Sequence, residues 1–170
     1  MALKSDRHEF ETDISFFMNE TATRGGVASL STGGSGAAMD QGGALATYSA
    51  TGSGVTPLGI LLNDMVNLDL TRQHINWHKD EVQKGGKVTL LRKGWVVTDM
   101  IEGAADRCTD PVAGDPVFVG HSGKLAADNN VSEERWSTYS IGTFLSSKDQ
   151  DGYAKVAINL PSTFAPSGIV

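Results

Sequence analysis

The sequence of 170 residues holds a single cysteine, Cys108, so it can form no internal disulfide and nothing in it points to an oxidising compartment. It is also short of basic charge. Fourteen Lys and Arg stand against 20 Asp and Glu, a formal net charge of −6. A nucleic-acid-binding face would need a basic footprint, and this balance argues against one. No apolar run approaches the ~18 residues of a membrane-spanning helix. The opening MALKSDRHEFETD also lacks the uninterrupted apolar stretch of a secretory leader. The expectation is a soluble protein made and folded in a cytoplasm, with no membrane partner. Hydrophobic content of 39% and aromatic content of 7% are slightly low, because one glycine-rich tract dilutes the average. The length suits one domain, or one domain with an extension.

That tract is the most conspicuous feature present. Residues 25–54 carry nine of the 20 glycines, and 31–43 read STGGSGAAMDQGG. The tract fails as a phosphate site, since it has no G-x-G-x-x-G between a strand and a helix and no Gly-Lys-Ser/Thr ending. Its scattered anchors, Leu30, Met39, Leu45 and Tyr48, are too few to build a core. Glycines cost backbone entropy on folding, so the tract reads as disordered when isolated. Ahead of it, HEFETDISFFMN fits two templates. Phe10, Ile14, Phe16 and Met18 suit a strand with Glu9, Glu11 and Asp13 on its other face; Phe10, Ile14, Phe17 and Met18 suit a helix. Aromatic and β-branched content leans toward strand.

Residues 55–161 form a succession of short strand candidates separated by turn signals. VTPLGILL and MVNLDL come first, then KVTLL and WVVTDMI divided by Arg92-Lys93-Gly94. PVFVG precedes the turn His121-Ser122-Gly123, and IGTFLSS precedes the turn Asp149–Gly152, after which YAKVAINL runs to Pro161. Such spacing, without long helical windows, predicts a mainly β fold, a small antiparallel barrel or sandwich. The resulting division is an extended glycine-rich N-terminal arm over 1–54, a β-domain over 55–161 and an irregular tail over 162–170. Thr71–Gln83 stays open between a short helix and a long excursion.

No catalytic constellation emerges. His74 and His78 have the spacing of two zinc ligands on one helical face, but Ile75 stands where a zincin needs its Glu, and no third ligand is evident. Asp149, Asp151 and Gly152 resemble the start of a calcium loop. Counted from Asp149, however, the glycine comes at position four and Leu160 occupies position twelve, so a hairpin turn fits better. Cys108 beside Arg107 invites a lowered thiol pKa, yet a lone loop cysteine is commonly inert. The expectation is a protein without enzymatic activity, cofactor or metal.

The segments VAGDPVFVGHSGKL (Val112–Leu125) and IGTFLSSKDQDGYAKVAINLP (Ile141–Pro161) resemble the β-domain of tailed-bacteriophage head decoration, or cement, proteins. In that pattern the Gly114-Asp115 turn enters a strand carrying Val117 and Val119. Ser122-Gly123 forms the next turn, and Gly142 opens a strand that pairs with Tyr153–Leu160. The resemblance implies a viral structural protein on the capsid exterior. Such a protein binds the major capsid protein, commonly as a homotrimer with neighbouring copies, and bridges adjacent subunits. It also implies an N-terminal arm that orders on the shell, with Phe10, Ile14, Phe16, Phe17, Met18, Leu30 and Tyr48 as the interface. Thirty flexible residues reach ~30 Å, so the arm is long enough to leave its own domain, and its deletion is then expected to leave the β-domain folded; the alternative is that Phe10–Met18 forms an edge strand of its own domain. Two alternatives remain: another minor virion protein such as a tail tube, or a carbohydrate- or host-binding module with Trp77, Trp95 and Trp136 as a platform.

Overall fold

The computed structural model describes residues 3–4, 6–31, 45–65, 81–104, 108–128, 137 and 140–160. Within them lie twelve strands: β1 (His8–Asp13), β2 (Phe17–Met18), β3 (Ala22–Thr23), β4 (Val27–Leu30), β5 (Leu45–Thr47), β6 (Pro57–Met65), β7 (Glu81–Val82), β8 (Lys87–Thr98), β9 (Pro116–Val119), β10 (Leu125–Ala126), β11 (Gly142–Phe144) and β12 (Ala154–Asn159). The mainly β expectation holds, in its barrel form: β8, β2, β5, β4 and β6 close on themselves through the β6–β8 pairing. All pairings around this ring are antiparallel except β2 with β5. A second layer, β12, β11, β9 and β10, continues the same sheet from the far half of β8.

The strand that joins the layers is β8, KVTLLRKGWVVT, twelve residues long. Its one edge pairs with β6 from Lys87 to Leu91 and then with β12 from Lys93 to Thr98. Along its other edge β1 pairs from Leu90 to Trp95, and Leu3 bridges to Thr98. The sequence divides this segment into two strands at Arg92-Lys93-Gly94, whereas the fold makes it one. The turn-like tripeptide instead marks the handover from β6 to β12, where pairing on both edges overrides local preference.

Two apolar clusters follow from this layout. Met18, Ala28, Ala46, Leu61, Val88 and Leu90 come one or two from each barrel strand and fill the barrel interior. Val27, Ile60, Leu62, Leu91 and Val96 point the other way, into a larger cluster completed by Val117, Val119, Leu125, Ile141, Phe144, Val156 and Ile158. Strands β4, β6 and β8 are therefore covered on both faces, which explains why GILL and TLL read as unbroken apolar runs rather than alternations. Among the described residues, four polar or charged side chains are buried, Ser29, Thr98, Glu102 and Ser137. Glu102 is fully enclosed, accepts a hydrogen bond from the His121 backbone N–H and lies 3.3 Å from its Nδ1. It ties the segment after β8 to the turn between β9 and β10.

The separate arm is corrected by these pairings. Residues expected to leave the domain supply β1, β2, β4 and β5, and three of those are barrel staves. Met18, Val27, Ala28, Leu45 and Ala46 are core residues, so the boundary drawn at residue 54 cuts through one sheet. The glycines misled because their role here is close packing. A Cβ on Gly26 would lie 2.8 Å from the Gly123 carbonyl oxygen and 2.9 Å from the Tyr48 ring. The run at 32–44, the tail and most of the ambiguous 71–83 segment lie outside the described residues; its end, Glu81–Val82, pairs with β3.

Gly94 has φ +146°, and a Cβ there would collide with the His8 carbonyl. Gly94→Ala is expected to cost ~2–4 kcal/mol, because strained backbone and displacement of β1 add together. Gly85→Ala, at φ +80° in open space, should cost only about 1 kcal/mol. Chemical denaturation measures both, and equal losses would mean that β1 does not press on Gly94.

Candidate interaction surface

The groups singled out for chemistry are held in structural roles. Burial pushes the Cys108 thiol pKa up, away from the thiolate that reactivity requires. One Asp149 carboxylate oxygen accepts hydrogen bonds from the backbone N–H groups of Asp151 and Tyr153, and the other accepts from Lys4 Nζ at 2.9 Å. That carboxylate shapes a turn. Among the described residues no three His, Cys, Asp or Glu side chains are grouped to hold a metal ion. His74, His78, Trp77 and Trp136 lie outside the described residues.

What the surface does present is apolar. Among the described residues, Phe10, Ile14, Leu30, Val112 and Leu145 are the large hydrophobics left exposed, and Phe10 is the most open at 69%. Its position is set by register. Glu9 faces Gly94 and Glu11 faces Lys93, so Phe10 is an extra residue on β1; Thr12 then faces Leu91, leaving Arg92 extra on β8. Paired bulges of this kind re-aim side chains at a sheet edge. The Phe10 ring packs on His8 with centroids 4.3 Å apart, and His8 lies 6.3 Å from the Trp95 ring. On the neighbouring strand Lys155 Nζ stands 3.4 Å from the Trp95 centroid, a close cation–π contact. The ammonium covers one face of that indole, so Trp95 is poorly placed as a sugar platform.

The seven residues expected at the interface separate into groups. Phe10, Ile14 and Leu30 are exposed. Phe16 and Phe17 are half-buried, with Phe16 packed against the barrel core. Met18 is wholly buried inside the barrel. Tyr48 is half-buried, and its hydroxyl donates to the Thr23 carbonyl at 2.6 Å and accepts from the Gly26 N–H at 3.1 Å. Burial raises the Tyr48 pKa, so the phenol stays neutral and does not reach outward. Met18 is corrected to an internal residue of the barrel, and Tyr48 is held against it with its hydroxyl turned to Thr23 and Gly26. Leu30, at the end of β4, is not adjacent to β1 in the strand order. Sequence reading singled out Trp95 only as a sugar platform and did not group it with His8, Lys155 and Phe10, because that neighbourhood depends on a register that no local pattern encodes.

The edge is fastened at its far end by Asp13. One carboxylate oxygen accepts the Ser15 N–H at 2.7 Å, and the other lies 3.8 Å from Arg92 Nη1. Burial opposes the charge, but the Ser15 hydrogen bonds and the Arg92 guanidinium outweigh it and hold the pKa below the usual carboxylate range.

No curated protein matches the chain. A family model described as "Structural cement protein (E217 gp24/Pam3 gp6)" matches residues 9–159. The match runs across the division drawn at residue 54, in agreement with the single sheet.

A depressed Asp13 pKa means that the unfolded chain binds more protons than the folded one near pH 4. The stabilisation is thus complete above the unfolded value and lost as pH falls through the folded one. Asp13→Asn should lower stability at pH 7 by under about 1 kcal/mol, the range of a solvent-contacting pair. The gap from the wild type should close as pH falls from about 5 to about 2. Denaturant midpoints across that range decide it, and a gap independent of pH would place the effect elsewhere.

Proposed function

The chain belongs to the phage structural cement protein family, and on that premise we propose that it binds the outer surface of an assembled capsid and stabilises the shell by bridging major capsid subunits. The match over residues 9–159 carries this reading, and the exposed Phe10 on a bulged edge strand supports it. A cement needs a body that does not deform under load and a contact presented by that body. Here a closed barrel with a second layer supplies the first, and β1, fixed along β8, offers the second.

The energetics suit repeated weak contacts. Burying one large aromatic contributes ~1.5–3 kcal/mol. Because Phe10 sits on a strand already ordered, little additional backbone entropy opposes docking. A single contact of that size binds weakly. A copy that touches two shell subunits gains from effective concentration, and that linkage is also what resists subunit separation under internal DNA pressure. Phe10, Ile14 and Leu30 are the residues we assign to contact with the shell or a neighbouring copy. Copies assemble as the homotrimer that the resemblance implies.

The experiment adds purified protein to undecorated shells and measures occupancy and rupture temperature. Wild type should bind and raise the rupture temperature. Phe10→Ser should weaken binding about tenfold to a hundredfold, the loss of one buried aromatic, with unchanged stability of the free protein. A wild-type protein that leaves shells unbound, or binds without changing their rupture temperature, would sink the proposal.

A further inference from the structure

Two of the exposed large hydrophobics, Val112 at 57% and Leu145 at 46%, have no part in the contact assigned above. Both stand at the end of β11. The Phe144 carbonyl accepts the Gly114 N–H and the Phe144 N–H donates to the Asp115 carbonyl, each at 2.8 Å, which sets the turn after Val112 beside Leu145. From there the outward face of the second layer follows by register. The Leu145 N–H donates to the Lys155 carbonyl, and Lys155 faces Val97. In the next row Thr143 faces Ala157 and Ala157 faces Trp95. Trp95 in turn faces His8, whose ring packs on Phe10. Trp95, Val97 and Ala157 are half-buried, yet they join none of the apolar clusters of the core.

This face has a sign. The strands that build it, KGWVVT (93–98), AKVAIN (154–159), GTF (142–144) and PVFV (116–119), carry two lysines and no Asp or Glu, in a chain of net charge −6. The acids at its border are engaged. Asp149 pairs with Lys4 at 2.9 Å, Asp110 pairs with Lys148 at 3.1 Å, and Asp115 accepts the Val112 N–H at 2.8 Å. Glu11 faces Lys93 across the ladder, which leaves Lys155 as the lysine with no acid opposite. Its Nζ rests 3.4 Å from the Trp95 centroid, so the ammonium is already ordered on the face. It has three N–H donors, and the ring covers one side of it only. A carboxylate completes that site, and ordering the lysine beforehand lowers the entropy cost of docking. A nucleic acid fits less well. Base stacking needs an open aromatic face, which the ammonium covers, and two lysines in an acidic chain offer little to a phosphate backbone.

We propose that this sheet face, from Phe10 across Trp95 to Leu145, docks an acidic segment of the shell subunit, with a carboxylate on Lys155 and apolar side chains against Trp95 and Leu145. This rests on the capsid-binding reading above and adds the chemistry of the partner. The partner is then selected by side-chain charge and needs no backbone pairing.

The test adds the full chain to undecorated shells and measures affinity at low and high salt. The main variant is Lys155→Glu. Lys84→Glu, at an exposed position between β7 and β8, makes the same change of net charge away from the face. Thermal unfolding of the free proteins verifies folding, and Lys155→Gln removes the charge alone should the reversal unfold the chain. Wild type should bind, with Lys155→Glu about tenfold weaker, Lys155→Gln about threefold weaker and Lys84→Glu unchanged. Salt should weaken the wild type and narrow these gaps. A zero-length carbodiimide, which joins an amine to a carboxylate, should link Lys155 to an Asp or Glu of the shell. If the wild type binds, the Lys155 variants bind no more weakly than Lys84→Glu and Lys155 forms no such link, the acidic partner is wrong and the capsid-binding reading stands. If the wild type does not bind at all, the capsid-binding reading itself fails. If Lys155 links instead to a carboxylate of another copy of this chain, the occupant is a second copy and the shell segment is wrong.

Discussion

The fold depends on a single strand serving two layers. In its first half β8 is a stave of the barrel, and in its second half it is the inner strand of the outer layer. Consecutive residues Leu90 and Leu91 are both fully buried, one in each apolar cluster. Such a strand cannot be trimmed or slipped by one position without exchanging its two sets of side chains. The bulge at Arg92 and the left-handed-side conformation of Gly94 are the local adjustments that let one strand satisfy β6, β12 and β1 in turn.

The interaction surface is a by-product of the same constraint. β1 carries one extra residue against β8, and that residue is Phe10. An aromatic that would pack against a neighbouring strand in a regular ladder is turned out to solvent instead. The bulge thus also leaves exposed the residue that we propose as the outer contact. Asp13 and Arg92 close the arrangement at its end, with Arg92 the extra residue on the opposite strand.

Much of this was legible in the residues. Alternation in YAKVAINL and the turn chemistry of His121-Ser122-Gly123 and Asp149–Gly152 located β9, β11 and β12, because both signals are local. Phe10 was read as lying on a strand, where the structure leaves it exposed. Met18 and Tyr48 were not separable from it, since an apolar residue beside a glycine tract looks alike whether it caps a barrel or faces a partner. The same ambiguity made Gly26 look like slack. Its closeness to Tyr48 and Gly123 is a tertiary fact, as is the packing of His8 and Lys155 around Trp95.

The pairing of β1 with β8 also has a consequence in time. His8 meets Trp95 roughly 85 positions later in the chain, so β1 is synthesised before its partner and must wait for it. At ~5–20 residues per second, translation leaves that strand without its ladder for several seconds or more. Ladders between such distant segments also form slowly once both exist. A nascent strand with an exposed aromatic is a hazard on a crowded polysome, where identical chains lie side by side. The carboxylates of Glu9, Glu11 and Asp13 on that strand oppose edge-to-edge pairing of identical chains before the barrel has closed.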